Sequence, residues 1–503
     1  MKDLNDAIAA GVLQALRARD QEVDETQAAP AVFDAAKMAE KQRVWWESGA
    51  GDKYVVQSGN NESPRFDEIN ENKFVKRLRR EFCATKVRKG ENISQVDQVL
   101  LYVMENRRLD LVLDALPGYK AGIHDNCGKK MLVRTSPRLL EATQGDWSTV
   151  KALIHGCLDL SVDGGIDQTP YFHSWCKVGA QSLYRAQPGN FQAGQCLILA
   201  GPRNCGKSRI QHWILTGIFG GRSADPGPYL FGDTDFNGEW LEGEHLLMED
   251  PASSTATKER VLFGERVKQT IISDKLRIHT KRKTALNLEM FFRMSISVND
   301  DPDKIRVLPL LTPDMKDKVM LFLVRKAQMP MPTLTLDQRV AFKEKITSEL
   351  PAYLWWLLDE FEVPAEIRRG VDGERLGVDS WRHPRIEREM FDDSPAAELL
   401  TLIDAAQWEG HYLWQLESAS SASYYWEGTA LALEMLLVGK IDRDGRSVYR
   451  CTVGKEAERL LAHNKIDRLL SRLKEDQADR VIKKHRNTGN FWLISRPGEG
   501  DEA

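Results

Sequence analysis

A short apolar run that leads straight into a glycine- and lysine-containing loop is the feature that most constrains this chain. Residues 197–200 read LILA, an uninterrupted apolar run typical of a strand that is buried on both faces. Residues 201–208 then fill the pattern G-x-x-x-x-G-K-[ST] without a mismatch, and the helical stretch RIQHWILTGIFGG follows. The glycines allow backbone conformations in which consecutive N–H groups point at phosphate oxygens. The sequence therefore predicts a phosphate-binding loop between a buried strand and a helix.

The residues of this loop are suited to bind ATP. Lys207 is expected to contact the β- and γ-phosphates, and the Ser208 hydroxyl is expected to be a ligand of Mg²⁺. The positive end of the following helix faces the phosphates. We predict ATP and Mg²⁺ as cofactors, with a nucleotide-binding set of Gly201, Pro202, Arg203, Asn204, Cys205, Gly206, Lys207 and Ser208.

Two further strand ends carry polar side chains that suit hydrolysis. Glu249 and Asp250 follow the apolar triplet 246–248, and we assign Asp250 to Mg²⁺ and Glu249 to the attacking water. Asn299 ends the alternating stretch 292–298 and is predicted to hydrogen-bond the γ-phosphate or that water, because ligands bind where parallel strands end. The alternatives are an ordinary strand end for the acidic pair and a simple turn start for Asn299.

The pattern along the chain predicts an α/β protein. Short strands alternate with helices between about residues 166 and 330, which indicates a parallel sheet covered by helices. In the region 33–165 the pattern is mostly helical, with one strand-like stretch at Lys130–Arg134. We predict an N-terminal helix and linker at 1–32, a helical domain at 33–165, a P-loop ATPase domain at 166–365, a connector at 366–394 and a winged-helix-like domain at 395–503.

The loop, the acidic pair and Asn299, in this order and spacing, resemble the superfamily three (SF3) helicases of viruses, phages and plasmids. The resemblance is to the helicase part of phage and plasmid primase-helicases in particular. It covers residues 195–310 well and 130–360 more loosely. It implies an AAA+-like P-loop ATPase core and a hexameric DNA helicase for replication, of phage, plasmid or mobile-element origin, that translocates on single-stranded DNA.

A basic hairpin is part of the same resemblance. Residues 265–292 read as two strands around a basic tip, and in the family such a hairpin grips single-stranded DNA in the central channel of the ring. Lysine and arginine neutralise phosphates without reading bases, which suits a motor that tracks any sequence. A tip that is basic only for solubility is the alternative. The predicted DNA contacts are His279, Lys281, Arg282 and Lys283.

One family feature is missing from this sequence. The family often has a Trp-Arg-Arg cluster after the asparagine strand, which supplies an arginine to the neighbouring subunit's nucleotide. Here Arg306 is the preferred assignment and Arg325 the alternative. The region before the loop has no close carboxylate pair or metal-ligand cluster for primer synthesis. A separate primase or initiator protein is therefore the expected partner.

Basic charge is concentrated in three stretches although the net charge is −4. The second stretch is the hairpin tip described above. The first stretch, residues 73–90, is predicted to contain a helix around Lys76, Arg77, Arg79 and Arg80. Three alternatives stay open for this helix, namely contact with DNA, contact with an acidic partner, or exposure to solvent alone.

The third basic stretch, residues 480–486, precedes a predicted hairpin turn at 487–490. Helices followed by one terminal hairpin are typical of a winged helix. Lys483, Lys484 and Arg486 are assigned to forked DNA, whereas a structural cap or protein-docking module is the alternative.

No apolar run approaches the roughly 18 residues that a membrane span needs, and the N-terminus lacks the features of a signal peptide. We expect a cytoplasmic protein without a membrane partner. The alternative function is a DNA-binding P-loop ATPase that acts as an origin initiator or assembly switch without processive unwinding. A metabolic kinase is disfavoured, because three basic stretches and a terminal wing have no use there.

Overall fold

The computed structural model describes most of the chain as two compact units. The first unit comprises residues 1–113 and 121–134, and the second comprises residues 114–120 and 135–503. The described residues are 33–48, 53–59, 64–88, 91–251, 257–279, 285–305, 307–309, 311–368, 376–392, 394–408, 411–412, 425–443, 446–462, 464–486 and 489–495. The predicted N-terminal helix at 1–32 lies outside the described residues.

In the described residues of the first unit there are two small sheets and three helices. The sheet orders are β3-β2-β1-β4 and β5-β7-β6. Its strands are β1 (Val44–Glu47), β2 (Lys53–Ser58), β3 (Arg65–Asn70), β4 (Arg108–Leu109), β5 (Leu111–Leu113), β6 (Gly122–Asn126) and β7 (Lys129–Val133). Its helices are α1 (Ala35–Gln42), α2 (Glu71–Arg80) and α3 (Gln95–Asn106). Its main apolar cluster joins helix and strand residues, among them Val44, Tyr54, Phe74, Leu78 and Val99.

The prediction of a helical domain at 33–165 is wrong for this unit. Among its described residues, the unit has the predicted strand-like stretch as β7 and three helices, but six further strands accompany them. The other strands were missed because they lack a period-2 pattern. In β2 the consecutive residues Tyr54, Val55 and Val56 are all buried, and β4 and β5 have two and three residues, too few to show any period.

The second unit begins with the elements around a parallel sheet. Its strands up to residue 323 are β8 (Cys196–Ala200), β9 (Ser223–Ala224), β10 (His245–Glu249), β11 (Leu276–Ile278), β12 (Leu286–Leu288), β13 (Arg293–Val298) and β14 (Val319–Leu323). The α-helices are α4 (Ser148–Leu158), α5 (Thr169–Arg185), α6 (Lys207–Arg209), α7 (Thr216–Ile218), α8 (Gly227–Phe231), α9 (Thr257–Ile272), α10 (Pro302–Ile305), α11 (Pro313–Lys316) and α12 (Leu336–Trp355). Wider π-helical turns occur at Ile210–Leu215 and Trp356–Glu360, and 3-10 turns at Ser161–Asp163, Gly238–Glu242 and Ala365–Ile367.

The central sheet has the strand order β14-β8-β13-β10-β9, and all its pairs are parallel. Every residue of β8 and β13 is buried, as expected for strands covered by helices on both faces. The predicted α/β class with a parallel sheet is confirmed. The carboxyl ends of β8, β13 and β10 therefore meet at one edge of the sheet.

Two predicted boundaries are corrected by the packing. Val150 and Leu153 of α4 belong to the same apolar cluster as Leu197 of β8, so the division lies at residue 134 and not at 165. The region 366–394 is more than an exposed connector. The Leu321 amide donates to the Trp381 carbonyl at 2.7 Å, so the chain there extends the edge of the sheet beside β14. Turn-forming residues before this segment concealed its apolar contacts.

The residues described in the C-terminal part of the second unit form helices and three short sheets. Its helices are α13 (Pro384–Asp392), α14 (Pro395–Ala405), α15 (Ala430–Val438), α16 (Gly454–Leu461) and α17 (Ile466–Asp476). Its strands are β15 (Gln407–Trp408), β16 (His411–Tyr412), β17 (Tyr425–Gly428), β18 (Lys440–Arg443), β19 (Arg446–Tyr449), β20 (Val481–Arg486) and β21 (Gly489–Ser495). The predicted terminal hairpin is confirmed as β20 and β21, and β17 adds a third strand beside β21. In the part of the chain that is described, no helix is long and apolar enough to cross a membrane.

Candidate nucleotide-binding site

The phosphate-binding loop connects β8 to α6 and requires glycine at two positions. A Cβ at Gly201 would collide with the Val324 carbonyl oxygen of the adjacent strand. Gly206 has φ of 112°, a conformation that residues with a side chain rarely adopt. Asn204, with φ of 59°, also lies in the left-handed region, which asparagine tolerates. Successive backbone conformations of this kind form a concave row of N–H groups suited to an anion.

Lys207 lies across this loop at the end of the sheet. Its Nζ donates hydrogen bonds to the carbonyl oxygens of Gly201 (2.5 Å) and Pro202 (2.9 Å) and to Oδ1 of Asn299 (3.4 Å). Lys207 and Asn299 are each 7% exposed. Because β13 is the direct neighbour of β8, the structure brings Asn299 to the lysine of the loop. Its role in hydrolysis stays a prediction.

The acidic pair ends β10, one strand further along the same edge. Nε2 of His212 lies 3.1 Å from Oε2 of Glu249. Partial burial raises the pKa of the Glu249 carboxyl, but hydrogen bonds from Ser208 and His212 outweigh burial and hold that pKa below its ordinary value. Glu249 is therefore a carboxylate at neutral pH, as a general base must be.

Asp250 has an unusual backbone conformation that turns the chain at the end of β10. Its φ is 38°, and its amide donates to the Ser297 carbonyl of β13 at 2.9 Å. The side chain is exposed and, like Ser208, lines the cleft over the loop. A hydroxyl and a carboxylate are the hard oxygen donors that Mg²⁺ prefers, and the hydrogen bond between Ser208 and Glu249 shows that the hydroxyl reaches the acidic pair. Ser208 and Asp250 thus fit the predicted Mg²⁺ site.

The cleft above the loop has a volume of about 680 Å³. Residues at the ends of β8, β10 and β13, which the sequence indicated, line this cleft together with residues that the sequence reasoning missed. Its lining consists of Arg203, Asn204, Cys205, Gly206, Lys207, Ser208, Arg209, His212, Trp213, Asp250, Ser297, Asn299 and Lys304.

The lining residues away from the loop that the sequence reasoning missed are His212, Trp213, Ser297 and Lys304. His212 follows Ser208 by four positions, and residues four apart share a helix face, so its place in the site was detectable from the sequence. Lys304 carried no such signal, because its approach depends on how the chain after β13 folds back. With Lys304, the lining of the cleft contains four Lys and Arg side chains, the others being Arg203, Lys207 and Arg209.

Of the two arginines considered for the nucleotide of a neighbouring subunit, the structure describes one. Arg306 lies outside the described residues. Arg325 donates from Nε to the Gly156 carbonyl at 2.8 Å and pairs through Nη1 with Asp163 at 2.9 Å. Both partners belong to its own chain, so Arg325 has a structural role at the end of α4 in this arrangement.

The basic hairpin is present as the antiparallel pair β11 and β12. His279 follows β11, and its backbone forms two hydrogen bonds with Asn237. Its amide donates to the Asn237 side chain at 2.7 Å, and its carbonyl accepts from the Asn237 amide at 3.1 Å. The tip residues Lys281, Arg282 and Lys283 lie outside the described residues.

The terminal hairpin holds two of its predicted DNA contacts within its own domain. Lys483 lies over the Trp492 ring at 4.9 Å, and Arg486 pairs with Glu427 and covers the Phe491 ring. Only Lys484 of the three is exposed without such a contact among the described residues. Of the three, Arg486 is neutralised by an ion pair, whereas the ring contact of Lys483 orients its ammonium group without removing the charge.

No family model and no curated protein matches the chain. Among solved structures, it is similar to the apo structure of the NrS-1 C terminal region (305-718), at 12% identity and a TM-score of 0.47, over 92% of this chain and 99% of that chain. It is also similar to a structure described as SCCmec type IV Cch - active helicase, at 11% identity and a TM-score of 0.37, over 90% and 92% of the two chains.

A third similar structure is that of JCV Helicase with a bound small molecule, at 12% identity and a TM-score of 0.23, over 50% of this chain and 67% of that chain. All three TM-scores are below 0.5, so the similarities assign no function. The function is inferred instead from the residues of the cleft.

Proposed function

We propose that this protein is an ATP-dependent DNA helicase of the superfamily three type, which hydrolyses ATP in the cleft above residues 201–208. The observation that carries the proposal is the meeting of three strand ends at one place. Lys207 and Asn299 lie 3.4 Å apart, and Glu249 is held by His212 of the helix that follows the loop. A phosphate loop, a buried asparagine and a carboxylate with a lowered pKa together suit hydrolysis of a phosphoanhydride.

Each of these residues has a distinct part in the proposed reaction. Lys207 neutralises charge on the β- and γ-phosphates, and Asn299 orients the γ-phosphate or the attacking water. Glu249 accepts the proton of that water, which its lowered pKa permits at neutral pH. Ser208 and Asp250 would hold Mg²⁺, which supplies charge neutralisation and phosphate orientation when bound.

The DNA-directed part of the proposal rests on the hairpin β11–β12 and on the family resemblance. We propose that residues 279–283 contact single-stranded DNA in the channel of a hexamer, with Arg306 completing a neighbour's site. Lys484 and its neighbours on β20 add a contact to forked DNA if the C-terminal part acts as a winged helix. A separate primase or initiator would be the partner at the fork.

One experiment separates this proposal from a DNA-binding switch that does not unwind. Phosphate release is measured with and without single-stranded DNA, and strand displacement is measured on a forked duplex, with Glu249→Gln as the inactive control. Stimulation of hydrolysis and ATP-dependent displacement are expected. Binding limited to a particular duplex, with hydrolysis indifferent to single strands, would support the initiator or assembly switch instead.

A further inference from the structure

Helix α2 of the first unit presents a basic face opposite its apolar face. Phe74 and Leu78, four positions apart, are fully buried in the main apolar cluster of this unit. Lys73, Lys76 and Arg80 follow the i, i+3, i+7 spacing of a single helix face, and all three are exposed. The helix is therefore anchored on one side and offers positive charge on the other.

The helix ends at a phenylalanine in a position that favours glycine. The Cys83 amide donates to the Leu78 carbonyl at 3.1 Å, and the Phe82 amide donates to the Arg79 carbonyl at 3.0 Å. This pair of hydrogen bonds forms a Schellman motif, in which the left-handed residue is usually glycine. Phe82 adopts φ of 62° there, and it is 92% exposed.

Neither the backbone conformation of Phe82 nor the position of its ring stabilises the folded unit. The left-handed conformation is unfavourable for a residue with a Cβ, and exposure of a phenyl ring to water is unfavourable as well. A glycine would relieve both costs. Conflicts between local preference and observed residue are typical of functional positions.

The charge around this ring is unbalanced. Within the described residues, no ion pair or side-chain hydrogen bond neutralises six exposed cations. Glu81, the acidic residue nearest in the chain, is paired with Lys41 instead. We define the α2 surface as these cations and the ring, namely Lys73, Lys76, Arg79, Arg80, Phe82, Lys86 and Arg88.

We propose that the α2 surface is a second binding site for single-stranded DNA, in which the cations contact phosphates and Phe82 stacks on a base. The choice of DNA as the ligand rests on the proposed function. The residues of this site belong to the first unit and include none of the cleft or of the hairpin β11–β12. A basic surface with an exposed ring suits a single strand, whose unstacked bases have free faces. A duplex offers phosphates but no free base face, and an acidic protein segment has no need of the ring.

The test is binding of a labelled oligothymidylate to the full chain without nucleotide, so its outcome does not depend on ATP hydrolysis. Phe82→Gly is expected to weaken binding about tenfold or more, equivalent to about 1.4 kcal/mol, and Phe82→Tyr to restore it. Phe82→Gly is also expected to raise the melting temperature, because glycine relieves the left-handed conformation. Affinity for a duplex of the same length is expected to change much less.

The cations are tested by the salt dependence of the same binding. Changing Lys76 and Arg80 together to alanine is expected to lower the slope of log affinity against log salt by about 1.4, or about 0.7 per lost contact. The matched control changes Lys37 and Lys53, exposed lysines of the same unit that already have the acidic partners Asp34 and Glu68. Its slope is expected to stay close to that of the unchanged protein.

Four results would overturn the proposal. Unchanged affinity of Phe82→Gly for the single strand would exclude stacking, and a fall in its melting temperature would make the ring a folding element. Equal loss of duplex and single-strand binding would leave only a general phosphate contact. Displacement of the DNA by polyglutamate, with no dependence on Phe82, would indicate an acidic protein partner.

Discussion

Lys207 is the residue on which the nucleotide site depends most directly. Its ammonium group is buried at the loop and lies within hydrogen-bonding distance of Asn299. Replacing Lys207 with alanine removes the positive charge that compensates the phosphates, and we expect a loss of about a hundredfold or more in ATP turnover. Phosphate release at saturating ATP is the measurement.

The control for this variant is Lys343→Ala, which removes an exposed lysine of α12 that does not line the cleft. Unchanged circular dichroism of both variants would show that the fold is intact. Turnover of Lys207→Ala near that of the control would contradict the assignment of this cleft to hydrolysis.

Against the raising effect of burial, hydrogen bonds from Ser208 and His212 lower the pKa of Glu249, so His212 contributes to the pH range in which Glu249 is a carboxylate. The pKa of Glu249 is lowered in the folded protein, so activity that needs its carboxylate is complete above that pKa and falls as pH drops through it. His212→Ala removes one hydrogen-bond donor, so the pKa of Glu249 should rise towards its ordinary value. The acid limb of the profile of kcat against pH should move to higher pH.

This shift separates a positioning role from a purely structural one. Loss of structure would lower kcat at every pH without moving the acid limb. An acid limb at the same pH in His212→Ala and in the unchanged protein would mean that His212 does not affect the proton acceptor.

At the scale of single elements, the terminal strand β21 divides two adjacent aromatic residues between opposite faces. Trp492 is fully buried in the C-terminal apolar cluster, and its Nε1 donates to Asp467 at 3.2 Å. Phe491 is only half-buried and covers Arg486. One face of β21 therefore belongs to the core of the C-terminal part and the other lies nearer the surface.

The two aromatic residues form a matched pair for a stability test. Trp492→Ala should destabilise the C-terminal part by about 3–5 kcal/mol, because it leaves a cavity and an unpaired Asp467 oxygen. Phe491→Ala should cost about 1 kcal/mol. Hydrogen exchange of the amides in β20 and β21 measures both, and equal effects would contradict the assignment of core and surface faces.

The hairpin β11–β12 lies within the predicted stretch 265–292, but its strands are shorter than predicted because residues up to Ile272 belong to helix α9. Its tip remains a prediction. Changing Lys281 and Lys283 together to alanine removes two proposed phosphate contacts. The slope of log affinity for single-stranded DNA against log salt should fall by about 1.4. Stimulation of ATP hydrolysis by DNA should be lost, whereas hydrolysis without DNA should persist because the nucleotide site is untouched.

Strand displacement by the hairpin variant supplies the decisive comparison. Normal displacement would place the main DNA contact elsewhere, and the α2 surface would then be the first alternative. Parallel titrations of Lys76→Ala/Arg80→Ala and of the hairpin variant show which of the two sites dominates.

At the scale of the whole molecule, the nucleotide site is expected to need a second copy of the chain. The arginines that line the cleft, Arg203 and Arg209, belong to the loop and to the helix that follows it. Arg325 is engaged with Asp163 of its own chain. An arginine from a neighbouring subunit, assigned to Arg306, would complete the site.

Assembly into a ring, with six subunits as the family resemblance implies, is therefore predicted in the presence of single-stranded DNA and a non-hydrolysable ATP analogue. Multi-angle light scattering measures the mass directly. Arg306→Ala should permit assembly but reduce hydrolysis, and mixing it with Lys207→Ala should restore some activity if the two residues act across a subunit interface. A monomer under all these conditions would contradict the prediction.

The sequence by itself determined the loop, because the pattern of residues 201–208 encodes a local backbone conformation. Gly206 is needed for its positive φ, and Lys207 and Ser208 follow as neighbours in the chain. The terminal hairpin was equally local, since β20 and β21 are joined by a short turn. Features whose physical cause lies within a few residues were thus predictable.

The tertiary structure alone decided which distant residues meet. Hydrophobic patterns identify buried parallel strands but do not encode their order, and only the placement of β13 between β8 and β10 brings Asn299 to Lys207. Lys304 was missed for the same reason, because sequence patterns do not encode which distant segments meet. The first unit was misjudged although β1, β2 and β3 pair as neighbours along the chain, because its strands are very short or, as in β2, buried at consecutive positions, which leaves little period-2 signal.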